Sequence, residues 1–175
     1  HVVREHNRTA DALTHRVARH GPFSHVVSGP TQELERPADL EQPPSPAMPS
    51  KRPNKLRIGY FSTDYREHPV AYLIAKVLEQ HNRDEFEVFG YSLHGNHQVE
   101  IRQRLINSFD RFVDVQKLSN KDVARKARQD GIDIAIDLNG YTQNARTKIF
   151  AYRAAPIQIN YLGFPGTTGT DFMDY

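Results

Sequence analysis

The sequence contains no cysteine, so disulfide bonds, thiolate catalysis and cysteine-ligated zinc or iron–sulfur sites are excluded. It has no apolar run near the roughly 20 residues that a membrane-spanning helix requires. Residues 1–6 lack the apolar stretch and cleavage motif of a secretory signal peptide. The net charge is only +2, and no dense run of lysine or arginine indicates nucleic-acid binding. We therefore expect neither a membrane nor a nucleic acid as partner, and a cytoplasmic location, or a nuclear one in a eukaryote.

Composition divides the 175-residue chain into three parts. Residues 1–26 are predicted to be a helical segment, because apolar residues recur at helical spacing before a Gly-Pro pair: Val3, Ala10, Leu13 and Val17. Residues 27–54 are predicted to be a linker, because seven of the eleven prolines fall between Pro30 and Pro53. Residues 55–175 are predicted to form one folded domain.

The 55–175 domain is predicted to be an α/β domain with a Rossmann-like parallel sheet. Five short apolar segments are typical of strands, at 56–61, 86–91, 112–115, 132–138 and 157–162. Helical spacing predicts four intervening helices, at 70–80, 99–109, 121–130 and 145–153. Ser119 is expected to cap the third helix and Gly131 to end it. This alternation indicates right-handed βαβ units, whose ligands bind beyond the carboxyl ends of the strands.

His68 and Pro69 follow the first predicted strand, at the expected start of a helix. Pro69 suits the first helical turn, which places His68 at the rim of the expected ligand crevice. An imidazole there could act as a general base that takes a proton from a hydroxyl nucleophile. The alternative is structural, with His68 only capping the helix. Asp137, at the end of the fourth strand, is an alternative base.

Two further segments that follow strands could bind a ligand. The run Asn139-Gly140-Tyr141-Thr142 follows the fourth strand, and its glycine lets the backbone approach a ligand, although a plain tight turn explains it equally well. The segment after the fifth strand contains the candidate binding residues Gly163, Pro165, Gly166 and Thr167. Its three glycines and two threonines offer unhindered backbone N–H groups and hydroxyls to a phosphate or sugar. A glycine loop without a ligand is the alternative there. Neither a GxGxxG nor a Walker A motif is present, which argues against NAD, FAD and P-loop chemistry.

Nine histidines make a metal site worth considering. His94 and His97 lie three residues apart, but Gly95 and Asn96 between them indicate a loop. Two solvated loop histidines are the simpler interpretation of this spacing. We therefore predict neither a metal site nor a cofactor.

Read in order, several motifs resemble the catalytic region of the protein O-linked N-acetylglucosamine (O-GlcNAc) transferases. The resemblance opens with Leu56-Arg57-Ile58-Gly59-Tyr60, Ser62-Thr63-Asp64-Tyr65 and His68-Pro69. It continues with the segments at 86–89, 129–132 and 139–142, and it ends with those at 155–158, 162–169 and 174–175. These blocks cover residues 55–175 in the order of the family and with similar spacing.

The resemblance implies a GT-B glycosyltransferase, in which two Rossmann-like domains face each other across a cleft, behind tetratricopeptide repeats. Such enzymes transfer N-acetylglucosamine from UDP-GlcNAc to serine or threonine hydroxyls of proteins, inverting the anomeric carbon without a required metal. The resemblance assigns His68 as the catalytic base or an acceptor-site residue. It places Asn139 and Thr142 near the donor sugar and diphosphate, and the Gly163 segment at the diphosphate. The helical segment at 1–26 would then be the end of the repeat array.

Two features depart from the family pattern. The second Rossmann-like domain, which holds most of the uridine pocket in this family, would lie beyond Tyr175. The linker at 27–54 also separates the first helix from the domain by more than the pattern leads us to expect. We therefore expect part of an enzyme that requires a C-terminal catalytic domain as its partner. Two alternatives stay open: a non-catalytic binding or scaffold module that retains the fold, and a GT-B enzyme with a non-protein acceptor.

Overall fold

The computed structural model describes residues 55–95 and 98–175. Within them, strands and helices alternate strictly along the chain. The elements are β1 (Leu56–Ser62), α1 (Pro69–Glu79), β2 (Phe86–Ser92), α2 (Glu100–Asn107), β3 (Arg111–Asp114), α3 (Asn120–Gln129), β4 (Ile134–Asp137), α4 (Lys148–Ala151) and β5 (Ile157–Asn160). The predictions for residues 1–26 and 27–54, and for His97, lie outside the described residues.

The five strands form one sheet in the order β3-β2-β1-β4-β5, and every neighbouring pair is parallel. This confirms the Rossmann-like α/β prediction. The chain builds outward from β1 to β2 and β3, then returns to place β4 on the other side of β1. The order of the strands therefore reverses between β1 and β4, which is where sheets of this kind open a crevice for ligands.

Helices cover both faces of the sheet. Because side chains alternate along a strand, Tyr60 of β1 joins the cluster under α1 and α2, whereas Phe61 joins the cluster under α3 and α4. Burial of each large apolar side chain in these two clusters stabilises the fold by about 1.5–3 kcal/mol. Across residues 55–95 and 98–175, no helix is both long and apolar enough to span a membrane.

The ends of α3 follow from the two residues that the sequence singles out. Ser119 Oγ accepts the backbone N–H of Asp122 at 3.1 Å, which caps the start of the helix. Gly131 has φ of +71° and follows the last turn, where the N–H groups of Gly131 and Ile132 donate to carbonyls of that turn. This is the hydrogen-bond pattern of a Schellman motif. Both predictions for α3 are confirmed.

Four elements are shorter than their apolar patterns predict: α2 (100–107 instead of 99–109), β4 (134–137 instead of 132–138), α4 and β5. Helix α4 spans Lys148–Ala151 instead of 145–153, because Ala145 N–H closes a turn on Thr142 and Arg153 has φ of +53°. Strand β5 ends at Asn160 instead of Leu162, because Leu162 has φ of +75° and cannot continue a strand. The late start of α4 and the early end of β5 lie at the carboxyl edge of the sheet, whereas Arg153 precedes the amino end of β5.

Candidate functional site

The segments that follow β1, β4 and β5 lie side by side at the carboxyl edge of the sheet. Their strands are direct neighbours and all parallel, so the three segments emerge at the same edge. They contain every site residue predicted from the sequence except Asp137, which is the last residue of β4. Because the strand order reverses between β1 and β4, the segments of these two strands form the two sides of the expected crevice.

Asn139 joins the two sides of this crevice. Its Oδ1 accepts the backbone N–H of Thr63 at 2.8 Å. Its Nδ2 donates to Thr63 Oγ1 at 2.9 Å and to Asp64 Oδ2 at 2.7 Å. The residue is fully buried. Its side chain therefore fixes the two segments relative to each other, and a ligand at this edge would be bound by the groups that Asn139 positions.

His68 caps the first turn of α1. Its Nδ1 accepts the backbone N–H of Val70 at 3.3 Å, with Pro69 in the first helical position. The same Nδ1 lies 3.8 Å from Asp64 Oδ2, which is too long for a hydrogen bond but close enough for attraction once the ring is protonated. Nε2 has no hydrogen-bond partner within the described part of the chain. The imidazole is one-third exposed, so this second nitrogen is open to a substrate.

Asp64 is the partner of His68 that the sequence did not single out. It is only 4% exposed, and its two carboxylate oxygens bind Asn139 Nδ2 and Arg66 Nη2, the latter at 2.8 Å. A buried carboxylate held in this way is a fixed negative charge beside the imidazole. The spacing of four residues between Asp64 and His68 was the available sequence signal, but loop residues at that spacing rarely face each other.

Asp137 is buried beneath the Asn139 turn. Its carboxylate accepts the backbone N–H groups of Asn139 at 2.9 Å and Gly140 at 3.2 Å. Burial raises the pKa of Asp137 to about 6, against the opposing effect of these two donors and the nearby Asn160 amide. Asn160 Nδ2 itself is buried and reaches no acceptor among the described residues with hydrogen-bond geometry. The carboxylate is 2% exposed and occupied by the turn, so the geometry favours His68 over Asp137 as a base.

The Gly140–Thr142 turn packs against the segment that follows β5. Gly140 has φ of +59°, and a Cβ atom there would lie 2.5 Å from Cβ of Phe164. Tyr141 packs edge-on against Phe164 and donates its hydroxyl to the Thr168 carbonyl at 2.6 Å. Thr142 Oγ1 lies 3.4 Å from Asn139 Nδ2, a weak contact that leaves the hydroxyl able to turn toward a ligand.

The segment after β5 enters through a tight turn at Leu162. Gly163 N–H donates to the Tyr161 carbonyl across Leu162, and with φ of +75° this is the strained form of the γ-turn. A Cβ atom on Gly163 would lie 1.9 Å from the Leu138 carbonyl oxygen, so only glycine fits. Beyond it, the backbone is exposed at Pro165, Gly166 and Thr167. The strained turn therefore determines the position at which these exposed residues begin.

Within residues 55–95 and 98–175, no group of three histidine or acidic residues has the geometry to hold a metal ion. The arrangement instead combines an imidazole with one free nitrogen, a fixed carboxylate beside it, and a strained glycine turn. Hydroxyl groups and open backbone N–H groups complete the edge. Such a set can accept a proton and hold a phosphate or sugar.

Residues 35–175 match the model of glycosyl transferase family 41, and the match begins within the segment predicted as a linker. The chain is 47% identical, over 131 residues, to a probable UDP-N-acetylglucosamine–peptide N-acetylglucosaminyltransferase of Arabidopsis thaliana. It is 46% identical, over 122 residues, to the UDP-N-acetylglucosamine–peptide N-acetylglucosaminyltransferase of Caenorhabditis elegans.

These alignments cover 73% and 69% of this chain but only 13% and 11% of the two relatives. Among solved structures, a mutant of the Thermobaculum terrenum O-GlcNAc transferase matches with a TM-score of 0.67 and 39% identity. That alignment covers 70% of this chain and 23% of the solved chain. The family match spans most of the sequence and agrees with the observed fold. The chain belongs to glycosyl transferase family 41.

Proposed function

We propose that this chain is part of an inverting glycosyltransferase that transfers N-acetylglucosamine from UDP-GlcNAc to serine or threonine hydroxyls of proteins. The observation that carries the proposal is the family match over residues 35–175. It is supported by relatives near 47% identity that are named UDP-N-acetylglucosamine–peptide N-acetylglucosaminyltransferases. The convergence of the segments after β1, β4 and β5 at one edge adds a place where such a reaction could occur.

The proposed enzyme requires a second domain. The chain spans about a tenth of the length of the curated relatives that it matches. We propose that a second Rossmann-like domain closes over this edge and supplies most of the uridine contacts. The donor would then lie between the two halves, with its sugar and diphosphate against this one. We propose no metal in this reaction, since hydrogen-bond donors can neutralise the leaving diphosphate.

The proposed role of His68 sets a condition on its tautomer. In transfer with inversion, the acceptor oxygen attacks the anomeric carbon as the bond to UDP breaks, and a base takes the hydroxyl proton. While His68 Nδ1 accepts from Val70, the neutral ring carries its hydrogen on Nε2 and cannot take a proton there. A ring that acts through Nε2 must carry its hydrogen on Nδ1. Asp64 Oδ2, 3.8 Å away, is the carboxylate oxygen that would accept a hydrogen bond from this N–H group.

This condition gives Asp64 and His68 separate roles. A small rotation of the ring exchanges the helix cap for a hydrogen bond from Nδ1 to Asp64. In that state the carboxylate holds the tautomer and stabilises the imidazolium that forms after proton transfer, as the acidic member of a catalytic triad does. Asn139 and Arg66 hold Asp64 in place for this role.

The other predicted residues serve the donor in this proposal. The backbone N–H groups of the exposed residues Gly166 and Thr167 would bind the diphosphate, and the Thr167 hydroxyl would add a further polar group. The Thr142 hydroxyl and Tyr141 would face the sugar, and Gly140 would support this turn from within, because its backbone is hydrogen-bonded to Asp137 and Thr147. Asn139 would act from beneath, because its own side chain is buried in the network that fixes both segments.

The deciding experiment uses the full-length protein that contains this segment. Purified enzyme is incubated with UDP-GlcNAc and candidate acceptor proteins, and mass spectrometry looks for one added N-acetylhexosamine on serine or threonine. The matched control omits only the nucleotide sugar. Transfer to lipid or free sugar but not to protein would favour the non-protein acceptor. If the full-length protein neither binds UDP-GlcNAc nor transfers its sugar, the scaffold module is favoured.

We further propose a cytoplasmic location, or a nuclear one in a eukaryote. Fractionation of cells that express the tagged full-length protein tests this directly. Recovery in a membrane or secreted fraction would contradict the proposal.

A further inference from the structure

Arg102 is a buried arginine that the proposed reaction does not use. It lies on the inner face of α2 and is 4% exposed. Its hydrogen bonds go only to neutral oxygens, and its Nε is buried with no partner among the described residues. Burial lowers the pKa of Arg102, and Asp114 opposes this only by attraction. A buried charge without a bonded carboxylate reduces stability, so packing alone does not account for an arginine here.

The guanidinium of Arg102 joins two segments at the carboxyl edge of the sheet. Nη1 donates to the Tyr65 carbonyl at 2.8 Å. Nη1 and Nη2 both lie 3.3 Å from Oγ of Ser92, the last residue of β2. The Phe112 ring, 5.1 Å from Cζ, covers the charge from β3. Arg102 therefore connects the segment after β1 to the end of β2.

Tyr65 lies between Asp64 and His68, so what holds its carbonyl also holds the short run that carries both. Its own hydroxyl donates to the Tyr60 carbonyl at 2.9 Å, and the side chain is 1% exposed. On the opposite side, Asn139 binds Thr63 and Asp64. The segment after β1 is thus held from the β4 side by an amide and from the α2 side by a guanidinium.

We infer that Arg102 is a positioning residue for the Asp64–His68 pair, acting through the Tyr65 carbonyl. The inference rests on the proposed function, because it assigns Arg102 to the placement of the proposed base. A guanidinium suits this role because its planar fork spans two acceptors at once, which an ammonium group cannot do in the same geometry. Without it, the Tyr65 carbonyl loses its donor, and the run from Asp64 to His68 is free to shift.

The test compares Arg102→Met and Arg102→Lys in the full-length enzyme with the wild type. Arg104→Met is the matched control, because Arg104 lies on the same helix but forms a surface ion pair with Glu79 at 2.6 Å. We expect Arg102→Met to lower kcat by about 10²-fold with the KM for UDP-GlcNAc unchanged, since a displaced base impairs the reaction rather than donor binding. Arg102→Lys should recover part of this loss. Arg104→Met should keep the wild-type kcat.

Thermal melting separates positioning from a merely structural role. Arg102→Met removes an unpaired buried charge, so we expect its melting temperature to change little while its kcat falls. A kcat equal to wild type, or a loss that the Arg104→Met control shares, would overturn the inference. If Arg102→Met does not fold, Ser92→Ala removes one of the two acceptors with the arginine kept, and a wild-type kcat in both Ser92→Ala and Arg102→Lys would overturn it. An inactive wild type would contradict the proposed function instead.

Discussion

The two roles of His68 can be separated by one pair of substitutions. His68→Ala removes both the helix cap and the proposed base, whereas His68→Asn keeps a side chain that caps well but cannot take a proton. The cap is a single hydrogen bond of 3.3 Å from Val70, so its loss should reduce the free energy of unfolding by about 0.5–1 kcal/mol. For a domain of this size that corresponds to a fall of about 2–4 °C in Tm. His68→Asn should keep the wild-type Tm.

Turnover should follow the opposite pattern. If His68 takes the acceptor proton, both variants should lower kcat by about 10²–10⁴-fold in the full-length enzyme, with little change in donor affinity. The assay is the steady-state transfer rate at varied acceptor and at saturating UDP-GlcNAc. Ser119→Ala is the control, because it removes the cap of α3, at a helix start that the proposed chemistry does not use.

The outcome of His68→Asn decides between the interpretations. A wild-type kcat in this variant would refute the base role and leave only the cap. A raised KM for the acceptor with a near-normal kcat would instead make His68 an acceptor-binding residue, and another group would have to take the proton.

The pKa of Asp137 is raised from 3.8 to about 6, so its contribution to stability is fully present below pH 3.8 and is lost as the pH rises through 6. The free energy of unfolding should fall by about 3 kcal/mol over this range. Asp137→Asn should abolish this fall, as measured by denaturant titrations at several pH values in the range. Gly163→Ala should destabilise the fold by about 3 kcal/mol, because its Cβ meets the Leu138 carbonyl, whereas Gly166→Ala, which meets only a side chain, should cost less than half of that in thermal melts. Calorimetry of this 175-residue chain should detect no UDP-GlcNAc binding at about 1 mM ligand, because the proposed second domain is expected to hold most of the uridine contacts. Submillimolar binding would contradict that division of the contacts. Chelation with EDTA should leave the turnover of the full-length enzyme unchanged, and a loss restored by Mg²⁺ or Mn²⁺ would overturn the metal-free proposal.

The alternation of elements could be predicted because it depends on local properties. Apolar spacing distinguishes strands from helices, and Ser119 and Gly131 mark the ends of α3 by hydrogen bonds within a few residues. The shortening of α4 could not be predicted in the same way. Arg153 adopts a positive φ where its guanidinium binds Asp174 and the Phe172 carbonyl, about 20 residues away in sequence. Long-range contacts of this kind are not written in the local pattern.

The candidate site shows the same limit. Parallel strands bring their carboxyl ends to one edge, so the grouping of His68, the Asn139 turn and the Gly163 segment follows from the sheet alone. The burial of Asn139 and the placement of Asp64 do not. Both depend on the pairing of β1 with β4, which decides which side chains meet across the crevice.

The pairing of β1 with β4 also determines when the sheet around β1 can be completed during synthesis. Thr63 and Asn139 are 76 residues apart, so at ordinary rates of translation the segment after β1 waits about 4–15 s for its partner. Throughout that interval β1 can pair with β2 on one side only, and its other edge, flanked by apolar residues of both faces, is open to any strand nearby. The centre of the finished sheet is therefore an edge in the nascent chain. Substitutions that weaken β4 should reduce the yield of folded protein during synthesis more than they reduce the stability of the protein that does fold.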